Sequence, residues 1–220
     1  MEFTVGSAIR FGWETFKKRP WFFVGTTVVI AIIYIAIGIV SAVVDEIFGG
    51  SLDEATIPGQ IVSSLLGALL GMGVTAFYLA AHDNSETAEL SLLWHPRPFW
   101  KFLGTSILAS LAIIIGFVLL VVPGIIAMVL FMFSTFIVID KGLGPIEAMK
   151  ESMRITAGHR WPLLGLIVVL SLIGMVGALA LGVGLLVAIP VATLAFTHAY
   201  RVLSGYDGQT AVPVDARLAA

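Results

Sequence analysis

The residues able to do chemistry are few in this chain, and their spacing argues against most of the chemistry they could do. Four histidines, His82, His95, His159 and His198, lie near the ends of apolar runs. None stands in a His-x-x-x-His or Glu-x-x-His spacing, so a metal site is not expected. Cysteine is absent, which removes disulfides, thiolate nucleophiles and cysteine ligands. Ser110, Ser134 and Ser171 have no base nearby in sequence and read as helix–helix contacts. Gly142 and Gly144 lack the Lys-Ser/Thr pair of a phosphate loop and read as a turn. Asp140, beside Lys141, reads as a solvated cap closing a helix. No catalytic residue, cofactor or metal is therefore assigned, and an enzyme is not expected. The cations are more promising. Lys17, Lys18, Arg19, Lys101, Lys150, Arg154 and Arg160 are candidate contacts for anionic lipid headgroups or a partner, each contributing about 1 kcal/mol near such a surface. Setting membrane topology is their ordinary role, and both readings stand.

These groups must be positioned by apolar helices. Hydrophobic residues make up 59% of the 220 and charged ones 12%, about half the usual charged share. So few charges cannot cover a water-soluble fold of this size, which makes lipid the solvent for much of it. The net charge of −2 argues against a nucleic-acid partner. Six runs are expected to span: 21–44, 61–81, 99–122, 124–139, 161–181 and 185–202. Pro123-Gly124 predicts a tight turn that makes spans three and four a close hairpin. The 124–139 run is short for a hydrocarbon core of ~30 Å and must borrow from its flanks, or the bilayer must thin locally. Small residues four apart, Ser63/Gly67/Gly71 and Gly174/Ala178/Gly182, predict ridges where another helix comes close. Pro190 should kink the last span. Residues 1–203 form the membrane domain, and 204–220 read as a flexible cytoplasmic tail.

Two further segments carry helical amphipathicity without the length or apolarity to span. In 4–18, Val5, Ile9, Trp13 and Phe16 oppose Ser7, Arg10, Glu14 and Lys17. In 144–157, Gly144 and Pro145 open a helix whose Ile146, Met149 and Met153 face lipid or span ends, with Glu147, Lys150, Glu151 and Arg154 toward water. A third, shorter surface helix is expected within Glu86–Trp94.

All twelve lysines and arginines fall in alternate inter-span intervals, and the three intervening loops have none. With six spans, the excess of cations on cytoplasmic loops puts both termini in the cytoplasm of an inner-membrane protein. The segments starting at Trp21, Trp100 and Trp161 share W-x-x-[VL]-G, ending at Gly25, Gly104 and Gly165. Upstream, Ala8 matches Ala148 and the small Gly12 matches Ser152. A unit of surface helix, tryptophan, span and returning span would then occur three times, and the three glycines should lie at equivalent close crossings.

Pro123-Gly-Ile-Ile-Ala, followed by Asp140, Gly144-Pro145, Ala148, Ser152, Gly158 and Trp161, resembles a bacterial and archaeal family. That family is named for the membrane domain of glycerophosphoryl diester phosphodiesterases and has YciC-like proteins as relatives. The resemblance implies a multi-pass membrane domain. It does not carry hydrolase activity over, because no span-free stretch could hold the soluble catalytic barrel. The expected fold class is thus an all-α integral membrane protein of six transmembrane helices with amphipathic cytoplasmic surface helices. Membrane lipids, a second copy or a membrane-protein partner are the expected partners. The expected role is membrane organisation or lipid and partner binding. The competing class is a transporter or lipid-translocating protein for a neutral or amphipathic substrate. A polar cavity reaching the bilayer midplane would favour transport, and a dry bundle with a basic cytoplasmic groove would favour lipid or partner binding.

Overall fold

Capping residues set where the helices begin. Thr4 accepts from the Ser7 N–H and Ser7 Oγ accepts from the Thr4 N–H, which starts α1 (Val5–Lys18). Pro20 occupies the first turn of α2 (Pro20–Ile47), where its missing N–H is no loss. Thr56 caps α3 (Ile57–Asp83) through the Gly59 N–H and is itself held by the Asp45 carboxylate. In a computed structural model that describes residues 3–50, 55–86, 88–94, 98–180 and 182–205, a 3-10 turn (Leu90–Leu93) follows. Then come α4 (Phe99–Leu119), α5 (Val121–Phe131), α6 (Ser134–Lys141), α7 (Pro145–Thr156), α8 (Arg160–Leu179) and α9 (Leu185–Leu203). The described residues are almost entirely helical. Among the described residues, six helices are long and apolar enough to cross a membrane, counting α5 and α6 as one unit over Val121–Lys141. Beyond Gly205 the expected 204–220 tail, together with His95, Arg97 and Arg217, lies outside the described residues.

Three antiparallel hairpins make the bundle: α2 on α3, α4 on α5, and α8 on α9. The short elements lie against the returning arms: α1 on α9, the 3-10 turn on α3, and α7 on α6. Gly12 of α1 meets the α9 backbone at Val191 and Ala195 so closely that a Cβ there would strike main-chain atoms. Ser152 of α7 donates to the Leu130 carbonyl at 2.7 Å and accepts from the Phe133 N–H at 3.3 Å. It thereby satisfies the backbone where α5 gives way to α6. Gly73 of α3 faces the Leu93 main chain in the same manner.

Several expectations change. Pro123 and Gly124 do not form the turn; they sit in the opening turns of α5, and the chain reverses at Leu120 in extended conformation. Proline suits that place because the first helical N–H groups have no partner anyway. The hairpin is nonetheless close, for Gly116 packs directly on Gly124. The short fourth span reaches full length by continuing through the break to Lys141. The predicted small-residue ridges are not the close crossings. Gly67 and Gly174 meet nothing within 4 Å, whereas Gly177 and Gly184 touch each other at the α8–α9 hairpin. Of the three motif glycines, Gly104 meets the Pro145 ring and Gly165 meets Val5, but Gly25 is exposed with nothing beside it. Trp21, Trp100 and Trp161 each hold the second position of their helix and are exposed. α9 continues through Pro190 as one helix.

Candidate functional site

The three returning arms end in charge at one end of the bundle, and those charges meet. Asp83 closes α3, Asp140 closes α6 and Arg201 lies in the last turn of α9. The Arg201 guanidinium donates to Asp140 Oδ1 at 2.8 Å and to Asp83 Oδ2 at 2.6 Å. Tyr200 donates its hydroxyl to the other Asp140 oxygen at 2.7 Å. The Arg201 side chain is 2% exposed, Asp140 6% and Asp83 21%. Burial this deep is tolerated because each carboxylate is both paired and hydrogen-bonded. Asp140 is therefore not the solvated cap its neighbour Lys141 suggested; Lys141 turns away to Glu151 at 2.7 Å.

Their registers coincide. Each arm is crossed by a short element, at Gly73, Leu130 and Val191, and the charged residue follows ten positions on (73 to 83, 130 to 140, 191 to 201). At the ~1.5 Å helical rise the crossings lie about 15 Å from the charges, so α1 and α7 are sunk against the bundle flank. The α1 face turned inward is Ala8, Gly12, Thr15 and Phe16, and that of α7 is Ala148, Ser152, Ile155 and Thr156. Ile146 points outward, and Lys150 and Arg154 are exposed as expected. Glu151 is not: it is 16% exposed and clamped by Arg154 and Lys141. Arg154, opposed by burial and helped by Lys141, holds its carboxyl at about 2.

Beside the triad, two histidines scattered in sequence come together. His82 Nε2 lies 3.1 Å from His198 Nδ1, and His82 Nδ1 lies 3.3 Å from Asp83 Oδ1. Phe11 of α1 stacks on His198 at 4.2 Å between ring centroids. A polar pocket opens here, lined by Phe11, Thr15, Lys18, His82, Asp83 and Glu86. No cluster of three or more metal-ligating groups occurs among the described residues.

Of the predicted headgroup-binding cations, Arg19, Lys101 and Arg154 are engaged within the protein. Arg19 donates to the carbonyls of Ser85 and Glu86 and lies 4.0 Å over the Phe22 ring. Lys101 donates to the Gly142 carbonyl, at the left-handed residue that ends α6. Both brace the start of an outgoing helix against the end of its returning partner. Lys17, Lys18, Lys150 and Arg160 remain exposed. Sequence reasoning missed Asp83, Tyr200 and Arg201 as a unit, because Asp83 and Arg201 alone read as helix-end charges and Tyr200 as an interfacial aromatic. The signal that could have found them is that each returning run ends in a charge, two acidic and one basic.

Away from this end, the clefts are apolar. One lies between α3 and α4, lined by Ala68, Phe102, Ile107, Leu111 and Ile114 with Ser106 and Ser110. A second lies between α1 and the α8–α9 hairpin, around Trp13, Ile173 and Val187. A third separates α2 from α3 and α9, around Ile30, Ile35, Tyr78 and Ile189.

An uncharacterized protein of Mycobacterium tuberculosis, Rv2560, is 26% identical to this chain over 227 residues, covering 92% of this chain and 69% of its own length. The Mycobacterium bovis protein Mb2590 is similar to the same extent. No solved structure matches the chain significantly. The model of a domain of unknown function, DUF7847, matches residues 22–206, which takes in all six long helices and the charged triad they converge on, and the chain belongs to that family.

Proposed function

We propose that this chain is a six-span inner-membrane protein with both termini in the cytoplasm, which acts without catalysis by holding lipid in lateral clefts and organising membrane or partner around it. The observation that carries the reading is the segregation of its cavities. Among the described residues, three clefts along the helix flanks are mainly apolar, one of them with Ser64, Ser106 and Ser110 in its wall, and a polar pocket opens beside Lys18, His82 and Asp83. A path for an ion or a polar solute would need polar groups toward the midplane of the bundle. The triad at the basic end instead ties the three returning arms together.

The three-unit repeat belongs to the same proposal. It rests on the shared ten-residue register between crossing and charge, and on the matched roles of Gly12 and Ser152 against α9 and the α5–α6 break. The exposed Gly25 departs from it. Kinship with the phosphodiesterase membrane-domain family likewise stays a proposal, with no hydrolase role attached.

Because the chain has no cysteine, single-cysteine variants test the topology cleanly. Ala55→Cys and Lys150→Cys, probed in intact cells with a membrane-impermeant maleimide, should label from opposite sides, with only Ala55→Cys reached from outside. Labelling of both from one side overturns the six-span arrangement. For the binding role, the chain purified in mild detergent should retain lipid by native mass spectrometry; complete delipidation without loss of fold would overturn it.

A further inference from the structure

Phe11 of α1 rests on two rings that meet edge to edge. It stacks on His198 at 4.2 Å and lies 4.6 Å from His82, so part of the seat of α1 is the histidine pair. The two imidazole centroids are 5.4 Å apart and the nearest nitrogens 3.1 Å, which puts those nitrogens on the line between the rings. That is the geometry of an N–H···N hydrogen bond, each nitrogen aimed at the other. A shared metal ion would instead need both lone pairs to converge on one point, about 2 Å from each nitrogen. His82 Nδ1, 3.3 Å from Asp83 Oδ1, holds its proton toward that carboxylate. His82 Nε2 is then the acceptor and His198 Nδ1 the donor.

We propose that Phe11, His82 and His198 form an acid-operated latch, which seats α1 while the rings share their hydrogen bond and loosens it when both are charged. One added proton, on His198 Nε2, leaves the bond intact. A second, on His82 Nε2, sets N–H against N–H, so the bond has no acceptor and two imidazolium charges stand side by side. The surrounding charges offer such a pair little relief. Arg201 of α9 already takes up Asp83 and, from α6, Asp140. Glu86 lines the same pocket but is opposed there by Lys18 of α1, while Arg19 of α2 lies at the Ser85 and Glu86 carbonyls. Protons reach the pair through this pocket, which His82 lines. Separating the rings removes the surface on which Phe11 is stacked. α1 also walls the cleft against the α8–α9 hairpin through Ile9 and Trp13, so its loosening widens that cleft.

The test uses the full chain in mild detergent and single cysteines, since the protein has none of its own. Thr15, 4% exposed on the inward face of α1, and Lys17, exposed on the same helix, are replaced separately by cysteine. Each is reacted with 4,4′-dithiodipyridine, which reports on thiols in acid as well as at neutral pH. The rate at Thr15→Cys relative to Lys17→Cys should rise about tenfold from about pH 7.5 to about pH 4.5, as one hydrogen bond gives way to like-charge repulsion. The rise should reverse on neutralisation. His82→Gln and His198→Asn each keep an amide near the facing nitrogen but cannot become charged, so either should abolish the rise. Phe11→Ala should raise the ratio already at neutral pH. Thr105→Cys, at a site fully buried in α4, should stay protected throughout. A ratio that does not change with pH, a rise that survives either histidine substitution, or a neutral ratio unmoved by Phe11→Ala overturns the latch. So does exposure of Thr105→Cys together with Thr15→Cys, which would mean acid unfolding of the bundle.

Discussion

Replacing Arg201 with methionine should be the most damaging single change at the charged end. The substitution keeps most of the side-chain volume but removes the cation between Asp83 and Asp140. Two carboxylates are then left facing one another, one of them 6% exposed, with Tyr200 still donating to Asp140 and His82 still beside Asp83. Removing one partner of a buried ion pair costs about 3–5 kcal/mol, because the other charge stays buried without compensation. For a chain of this size each kcal/mol lowers Tm by about 2–4 °C, so Arg201→Met should melt about 6–20 °C below wild type in detergent. Asp140→Asn should be milder, at about 1.5–3 kcal/mol, since Asp83 still pairs with the guanidinium and the amide still accepts from Tyr200. The double variant decides the reasoning. Because the second change relieves the carboxylate repulsion left by the first, the combined loss should fall short of the sum by roughly 1–3 kcal/mol. Additive losses, or Arg201→Met melting within about 2 °C of wild type, would refute the triad as a tie between the three arms.

Three further outcomes follow from contacts already described. Gly12→Ala should destabilise by about 1–3 kcal/mol, because the added methyl meets α9 backbone, whereas Gly25→Ala, in open space within a helix, should stabilise by about 0.5–1 kcal/mol; parallel melting curves check both. Ser152→Ala should cost about 1–3 kcal/mol by leaving the Phe133 N–H and the Leu130 carbonyl unmet at the α5–α6 break, seen as faster hydrogen exchange over Leu130–Phe136. The fold draws the Glu151 carboxyl from its usual value near ~4.3 down to about 2, so the ionised clamp stabilises fully above about pH 4.5 and fades as pH falls toward 2. The Tm gap between wild type and Glu151→Gln should therefore be wide at neutral pH and narrow below pH 4; a gap that does not change with pH refutes the clamp.

Local pattern carried a good part of this protein into view. The sparse charge, the six apolar runs and the two amphipathic segments follow from composition and period alone, because a helix is written in residues three and four apart. Thr4, Pro20, Pro145 and Gly142 likewise mark helix ends by their own backbone chemistry. What the tertiary structure decided is which faces meet. Arg201 finds Asp140 and Asp83 across separations of 61 and 118 residues, and His82 finds His198 across 116. No periodicity encodes such pairings, since they depend on how three hairpins wedge together. The same holds for glycine: Gly67 and Gly73 lie on the same helix, yet only Gly73 has another backbone against it. A missing side chain permits a close crossing, and the packing of the neighbouring helix determines whether one occurs.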